Sequence, residues 1–195
     1  MKMLLGISGT NGSGKDSVAE ILVKQHGYLF IGVTELLRDE ARTRGLSTER
    51  INLRTISAEW RREYGLGVLI DKAVAIYIKK GGDEKYSGLV ISSLRNPGEV
   101  DKIHELNGRV VWIDADPKVR YSRITKRGRD DDKKTFEQFL EENKVEMTNS
   151  GDEATLSMSE VKAKADTTLN NNGKSITELE RLVDLKLMET SQEHQ

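Results

Sequence analysis

The sequence predicts an α/β protein in which a parallel sheet is covered by helices on both faces. Three observations predict it. Short apolar runs suited to buried strands recur along the chain, and apolar residues at helical spacing follow them. The first strand and helix are joined by a tight glycine-rich stretch. The 195 residues carry no internal repeat, which suits one domain, or one domain with an inserted lid, rather than two independent cores.

In chain order, Met3–Ser8 is an apolar run ending before glycine and is expected as a buried parallel strand. Gly9–Lys15 is glycine-rich, and Val18, Ala19, Ile21, Leu22 and Val23 then recur at helical spacing within Asp16–His26. Leu29–Ile31 suits a second short strand. From Thr34 to about Lys80 the pattern is helical, broken at Gly45 and at Gly65-Leu66-Gly67, which gives three helices. Leu89–Ser92 is the third strand, and Pro97 opens a helix to Asn107. Arg109–Ile113 is the fourth strand, and Asp116-Pro117 supplies an N-cap and a first-turn proline to the next helix. Lys126 to about Gly151 is dense in charge and contains Thr135-Phe136-Glu137-Gln138, a capping box. Asp166–Leu169 is the fifth strand, Asn170-Asn171-Asn172-Gly173 a loop, and Ser175-Ile176-Thr177-Glu178 the cap of the last helix. Residues after Met188 are expected to fray.

Composition removes several classes of function. Lys and Arg number 31 against 32 Asp and Glu, a net charge of −1, so no global basic field favours nucleic acid. Charged residues make up 32% and aromatics 5%, as expected of a soluble, helix-rich cytoplasmic protein. No run approaches the ~18 consecutive apolar residues of a membrane helix. Met1-Lys2-Met3-Leu4-Leu5 turns polar at Ser8, too soon for a secretory leader. Cysteine is absent, which excludes disulfides, thiolate metal sites and thiol nucleophiles. His26, His104 and His194 are scattered, so a histidine metal site is not expected.

The most informative segment is Gly9-Thr10-Asn11-Gly12-Ser13-Gly14-Lys15-Asp16-Ser17. Glycines let successive backbone N–H groups turn inward around phosphate oxygens, and the following helix adds its positive N-terminal end. Lys15 places a point charge on the β- and γ-phosphates. A dinucleotide-binding reading needs a third glycine where Ser17 stands and leaves Lys15 unexplained. The hydroxyl of the usual pattern follows lysine directly, whereas here Asp16 intervenes and Ser17 carries it. Asp16 suits either a Mg²⁺ ligand, directly or through water, or a charge favourable to the helix dipole.

Phosphoryl transfer between anionic substrates needs cations on both sides of the moving group. Three arginine-bearing segments qualify, each against the alternative of a solvated surface arginine. Thr34-Glu35-Leu36-Leu37-Arg38 follows the second strand, and Ser92-Ser93-Leu94-Arg95-Asn96-Pro97 follows the third, at the sheet edge where open α/β folds bind ligands. In Arg120–Arg129, Arg123 and Arg127 are four apart and share one helix face, from which they can neutralise charge on a transferred phosphoryl group. Asp130–Asp132 directly after can pair with this basic run.

With these segments the chain resembles the P-loop kinases that phosphorylate nucleotides: adenylate kinase-like, dephospho-CoA kinase-like and deoxynucleoside monophosphate kinase-like proteins, and most of all their archaeal-type branch. The resemblance rests on Gly9–Ser17, Thr34–Arg44, Arg61–Leu69, Leu94–Val100, Trp112–Arg129, Thr135–Leu140 and Ala165–Gly173, nearly the whole chain. It implies a P-loop NTPase three-layer sandwich with a parallel five-stranded sheet and a helical lid. Residues 1–195 would form one kinase domain, with an acceptor-binding helical segment at about 33–80 and the lid at about 123–151. It further implies that ATP and Mg²⁺ are bound by Gly9, Asn11, Gly12, Ser13, Gly14, Lys15, Asp16 and Ser17, with Asn171 near the ATP base. Thr34, Arg38, Arg61 and Arg95 would line the acceptor site, and Arg123, Arg127 and Arg129 would belong to the lid. One position departs from the pattern: relatives carry an aspartate where Ser92 stands, which leaves Asp16 or Asp114 to take over, or catalysis weak.

The expected function is transfer of the ATP γ-phosphate to a nucleotide acceptor, a nucleoside or deoxynucleoside monophosphate ranking first. A phosphate acceptor is already ionised and needs no base, whereas the hydroxyl of a dephospho-CoA-type acceptor wants a carboxylate that Ser92 does not supply. A protein whose ATP occupancy controls a partner, with little phosphotransfer, is the reading from another class. Neither nucleic acid nor membrane is expected as partner, and the chain is expected as a monomer or homodimer.

Overall fold

The computed structural model describes residues 1–128, 132–147, 152–173 and 175–188. The first apolar run forms β1 (Leu4–Gly9), and the glycine-rich turn leads into α1 (Lys15–His26). Gly27, in the left-handed region at φ +71°, closes α1 and starts β2 (Tyr28–Gly32). Three helices follow, as the glycine breaks require: α2 (Val33–Thr43), α3 (Arg50–Tyr64) and α4 (Val68–Lys79). A single turn, α5 (Gly82–Lys85), precedes β3 (Gly88–Ser92).

The capped helices begin where the sequence places them. In α6 (Pro97–Glu105) the Asn96 side chain accepts from the Gly98 N–H and Glu99 closes a capping box. After β4 (Arg109–Asp114), α7 (Pro117–Arg127) is capped by Asp116, which accepts from the Lys118 N–H at 2.8 Å. Thr135 and Gln138 form the reciprocal pair at the start of α8 (Phe136–Met147), at 2.8 and 3.2 Å. Helix α9 (Met158–Lys164) and α5 were not anticipated; at seven and four residues they are too short to show a periodicity. Strand β5 (Thr167–Asn170) leads to α10 (Ile176–Val183), which continues as a π-helical turn over Asp184–Met188. Arg129, Asp130, Asp131 and the segment after Met188 lie outside the described residues.

The five strands are parallel and ordered β2-β3-β1-β4-β5. One core joins Leu4, Leu89, Ile91, Val110 and Trp112 of the sheet to α2, α3, α4, α6 and α9. The other joins Leu5, Ile7, Val90, Val111, Ile113 and Leu169 to α1 and α10. The three-layer sandwich follows directly, because strands buried on both faces carry apolar residues at successive positions. The register pairs Gly32 with Ser92, Ile7 with Ser92, Gly9 with Ile113 and Asp114 with Asn170. All five carboxyl ends thus leave the sheet on one edge.

Candidate functional site

At that edge Thr10–Gly14 curls from β1 into the first turn of α1. The curl requires glycine at two positions for different reasons. Gly12 (φ +80°) lies so close to α7 that a Cβ would meet the Arg120 carbonyl oxygen at 2.6 Å. Gly14 (φ +92°) caps α1 in the left-handed region, where a Cβ would stand 2.3 Å from Asn171 Nδ2. The hydroxyls of Thr10 and Ser13 are buried without a hydrogen-bond partner among the described residues. Buried polar atoms are seldom left so, and a bound anion would complete their bonding. Asp16 is exposed on the first turn of α1, with Ser17 half-buried beside it.

Lys15 makes no ion pair or hydrogen bond among the described residues. Loss of hydration holds its ammonium below the ordinary lysine range; Arg95 and Arg127 add to that, while Asp16 and Glu146 oppose it. Helix α7 brings further cations to the loop, Arg120 and Arg127 to Asn11 and Arg123 to Ser13.

The two lid-face arginines do different work. Arg123 reaches the carbonyl oxygens of Ser13 (3.4 Å) and Gly173 (3.0 Å) and the Asn171 Oδ1 (3.4 Å), and burial lowers its pKa. Arg127 grips Asp132 with Nε and Nη2, at 2.9 and 2.7 Å, and donates to Asn11 Oδ1 at 3.3 Å. Asn171, expected near the ATP base, is buried and donates to the Ser13 carbonyl at 2.9 Å, so its side chain braces the loop. Arg129 falls outside the described residues.

On the acceptor side, Thr34 is half-buried on the first turn of α2, and Arg38 pairs with Glu35 of the same helix. Arg95 is one-third exposed and reaches Glu146 at 3.5 Å. Arg61 is a correction. Expected to line the acceptor site, it is buried, with Nη2 on Glu99 at 2.7 Å and Nη1 on the Ala154 carbonyl at 2.9 Å. The physical reason is its place on the inner face of α3 beside Leu53, Ile56, Ser57 and Trp60. The other oxygen of Glu99 accepts from the backbone N–H groups of Arg95 (2.8 Å) and Asn96 (3.2 Å). Arg61 therefore acts on Arg95 through Glu99. Asp114 accepts from Lys162 at 3.0 Å and from the Ala115 N–H. Ser92 is fully buried, and Ser93 turns the chain at φ +74°, its N–H held by the Ile7 carbonyl at 2.9 Å. A serine in that region costs on the order of 1 kcal/mol, a strain found mostly at functional turns.

A family model described as an AAA domain matches residues 5–153. UPF0200 protein PAE1629 of Pyrobaculum aerophilum is 33% identical over 188 residues, covering 95% of this chain and 97% of that protein. UPF0200 protein PYRAB09750 of Pyrococcus abyssi is 35% identical and covers 74% of this chain and 78% of its own. The chain belongs to the UPF0200 family. Its fold is matched by TT1252 from Thermus thermophilus (TM-score 0.55, 18% identity, 92% of each chain). It is matched as well by shikimate kinase from Acinetobacter baumannii in complex with shikimate (TM-score 0.52, 15% identity, 94% of this chain and 92% of that one). The UPF0200 chain thus has the P-loop kinase-like fold. Among the described residues no helix is long and apolar enough to cross a membrane.

Three residues that shape the candidate site of this UPF0200 chain escaped the sequence reading. Arg120 is buried against the loop, with Nε on the Ala115 carbonyl at 2.9 Å, Nη1 on Asn143 Oδ1 at 2.7 Å and on the Asn11 carbonyl at 3.4 Å. Its guanidinium also stands 5.2 Å from the Phe139 ring centre, which docks α8 on α7. Glu99 anchors the Arg95 turn. Glu146, in the last turn of α8, brings a carboxylate to Arg95 and to Arg50. The capping box announced Glu99, since a glutamate three residues after Asn96 is half of that motif. Nothing local announced Glu146.

Proposed function

We propose that this chain is an ATP-dependent phosphotransferase acting on a nucleotide acceptor, with a nucleoside or deoxynucleoside monophosphate ranking first. The observation that carries the reading is the glycine loop before Lys15, where the buried hydroxyls of Thr10 and Ser13 have no partner among the described residues and Arg123 and Arg127 of α7 bond to Ser13 and Asn11. The residues fit a triphosphate. The amides of Gly12–Lys15 and the orphan hydroxyls of Thr10 and Ser13 would take the phosphate oxygens, and Lys15 the outer charge. Asp16 and Ser17 are hard oxygen donors suited to Mg²⁺, which when bound would neutralise charge on the outer phosphates. Arg95 fixes the acceptor phosphate opposite Lys15, so that its oxygen stands in line with the γ-phosphorus. That oxygen bonds to phosphorus as the bond to the β–γ bridging oxygen breaks, leaving ADP. Arg127 offsets the charge that builds up, and α7–α8, as the lid, keep water out so that transfer beats hydrolysis.

Glu146 favours a second reading. A dephospho-CoA-type acceptor offers a hydroxyl, and a carboxylate near Lys15 can serve as the base that Ser92 does not provide. A regulatory ATP-binding role with little transfer is the third. Mg·ATP turnover against a panel of nucleoside monophosphates, deoxynucleoside monophosphates and dephospho-CoA separates the three. Acceptor-dependent ADP formation is expected. Only an acceptor-independent trickle for every compound would overturn the kinase reading.

A further inference from the structure

Helix α3 begins with Arg50, whose guanidinium is half-exposed and stands 3.8 Å from Glu146 Oε1; Arg95 stands 3.5 Å from the same oxygen. That carboxylate is only 11% exposed, so the last turn of α8 holds it down between two guanidinium groups from different elements. Both separations exceed the ~2.7–2.9 Å of a well-made charge-assisted bond. One carboxylate oxygen spans a gap that is too wide for it. A phosphate, with three terminal oxygens on a tetrahedron, is the larger anion that would reach both partners at full contact. The geometry points to an acceptor subsite: we propose that Arg50 and Arg95 together bind the acceptor's phosphate, and that Glu146 fills this subsite until the acceptor displaces it.

The proposal rests on the kinase reading and extends it by adding Arg50 as an acceptor-binding residue and Glu146 as the competitor. It has a mechanical consequence. Glu146 belongs to α8, whose other attachments are Asn143 on Arg120 and the Phe139 ring under that guanidinium, while Met147 packs on the main core. Acceptor phosphate entering between the arginines would displace the Glu146 carboxylate, at the end of α8, from both. A phosphate then takes the place of a carboxylate between the same two guanidinium groups. A base at the same position would instead need an open approach to a substrate hydroxyl, which two guanidinium groups oppose.

Inorganic phosphate, titrated calorimetrically into protein saturated with a non-hydrolysable ATP analogue, reads the subsite directly. Glu146→Gln removes the competing charge and keeps the shape, and should tighten phosphate binding about tenfold, as expected for one like charge a few ångströms away. Arg50→Ala should weaken it in the wild-type background and cancel the gain in the Glu146→Gln background. Phosphate affinity indifferent to Glu146→Gln, or a gain that survives Arg50→Ala, would overturn the proposal. So would unchanged phosphate affinity joined to a fall in turnover of about a hundredfold or more for Glu146→Gln, the mark of a lost general base. The parent reading fails separately. A protein that binds phosphate in the expected pattern yet turns over no acceptor keeps the subsite and loses the kinase activity, and an active kinase whose phosphate affinity ignores both substitutions does the reverse.

Discussion

At the scale of single residues, Lys15 and Arg61 show two opposite fates of a cation in this fold. Lys15 has lost hydration and has no ion pair among the described residues, so it is restored only when an anion binds. Lys15→Ala is expected to abolish the rise in melting temperature that ATP produces, measured by differential scanning fluorimetry. The lowered pKa of Lys15 sets the pH dependence. Below that value the ammonium is charged in free and bound protein alike. Above it the free protein has lost the proton and binding must take one up. ATP affinity should therefore fall as pH rises through the lowered value and on towards the ordinary lysine range. Calorimetric titrations across neutral to alkaline pH check this, and a flat profile would remove Lys15 from the phosphate site. Arg61, by contrast, is paired at 2% exposure with a Glu99 that is 0% exposed. Arg61→Ala leaves that carboxylate buried with its charge unpaired and should cost about 3–5 kcal/mol of stability in urea melts. Because Glu99 also holds the Arg95 backbone, acceptor KM should rise in the same variant.

At the scale of elements, the loop between β1 and α1 depends on where Asn171 sits. Gly14→Ala meets two obstacles, a left-handed φ of +92° and the Asn171 amide 2.3 Å from the new Cβ. Loss of ATP binding with a lowered melting temperature is expected, and ordinary binding by this variant would show that the loop can repack. Strands, helix starts and the loop itself could be read from the sequence because each is encoded within a few neighbouring residues. Asn96-Pro97, Asp116-Pro117, Thr135–Gln138 and Ser175–Glu178 all cap helices where their chemistry demands. Side-chain destinations were harder. Arg61 and Arg95 look alike in the sequence, and what separates them is Glu99, which pairs with the guanidinium of one and the backbone of the other. Glu146 sits among the many charges of α8, and only the docking of that helix through Phe139 and Arg120 turns it toward Arg95. Asn171 could be assigned to its loop, but not its bond to Ser13, because that partner lies 158 residues away.

At the scale of the whole molecule, the site is stitched from elements that span almost the entire chain: Ser13 and Lys15 near its start, Arg95 in the middle, Arg123 and Asn171 towards its end. A ligand held by all of them binds the folded state alone and stabilises it by mass action. ATP at a hundred times its dissociation constant should add about 2.7 kcal/mol. For a domain of this size that is a rise in melting temperature of roughly 5–10 °C. A much smaller shift at saturation would mean that the loop is bound without drawing in α7. The sheet order adds a matter of timing. β1 is made first yet lies in the middle, between β3 and β4, and the Asn171 amide that braces its loop comes after β5. A chain growing on the ribosome at ~5–20 residues per second therefore carries its nucleotide loop for about 8–30 s before the last brace exists. Through that interval the loop lacks the Asn171 brace, and collapse on the apolar strands precedes the completed site.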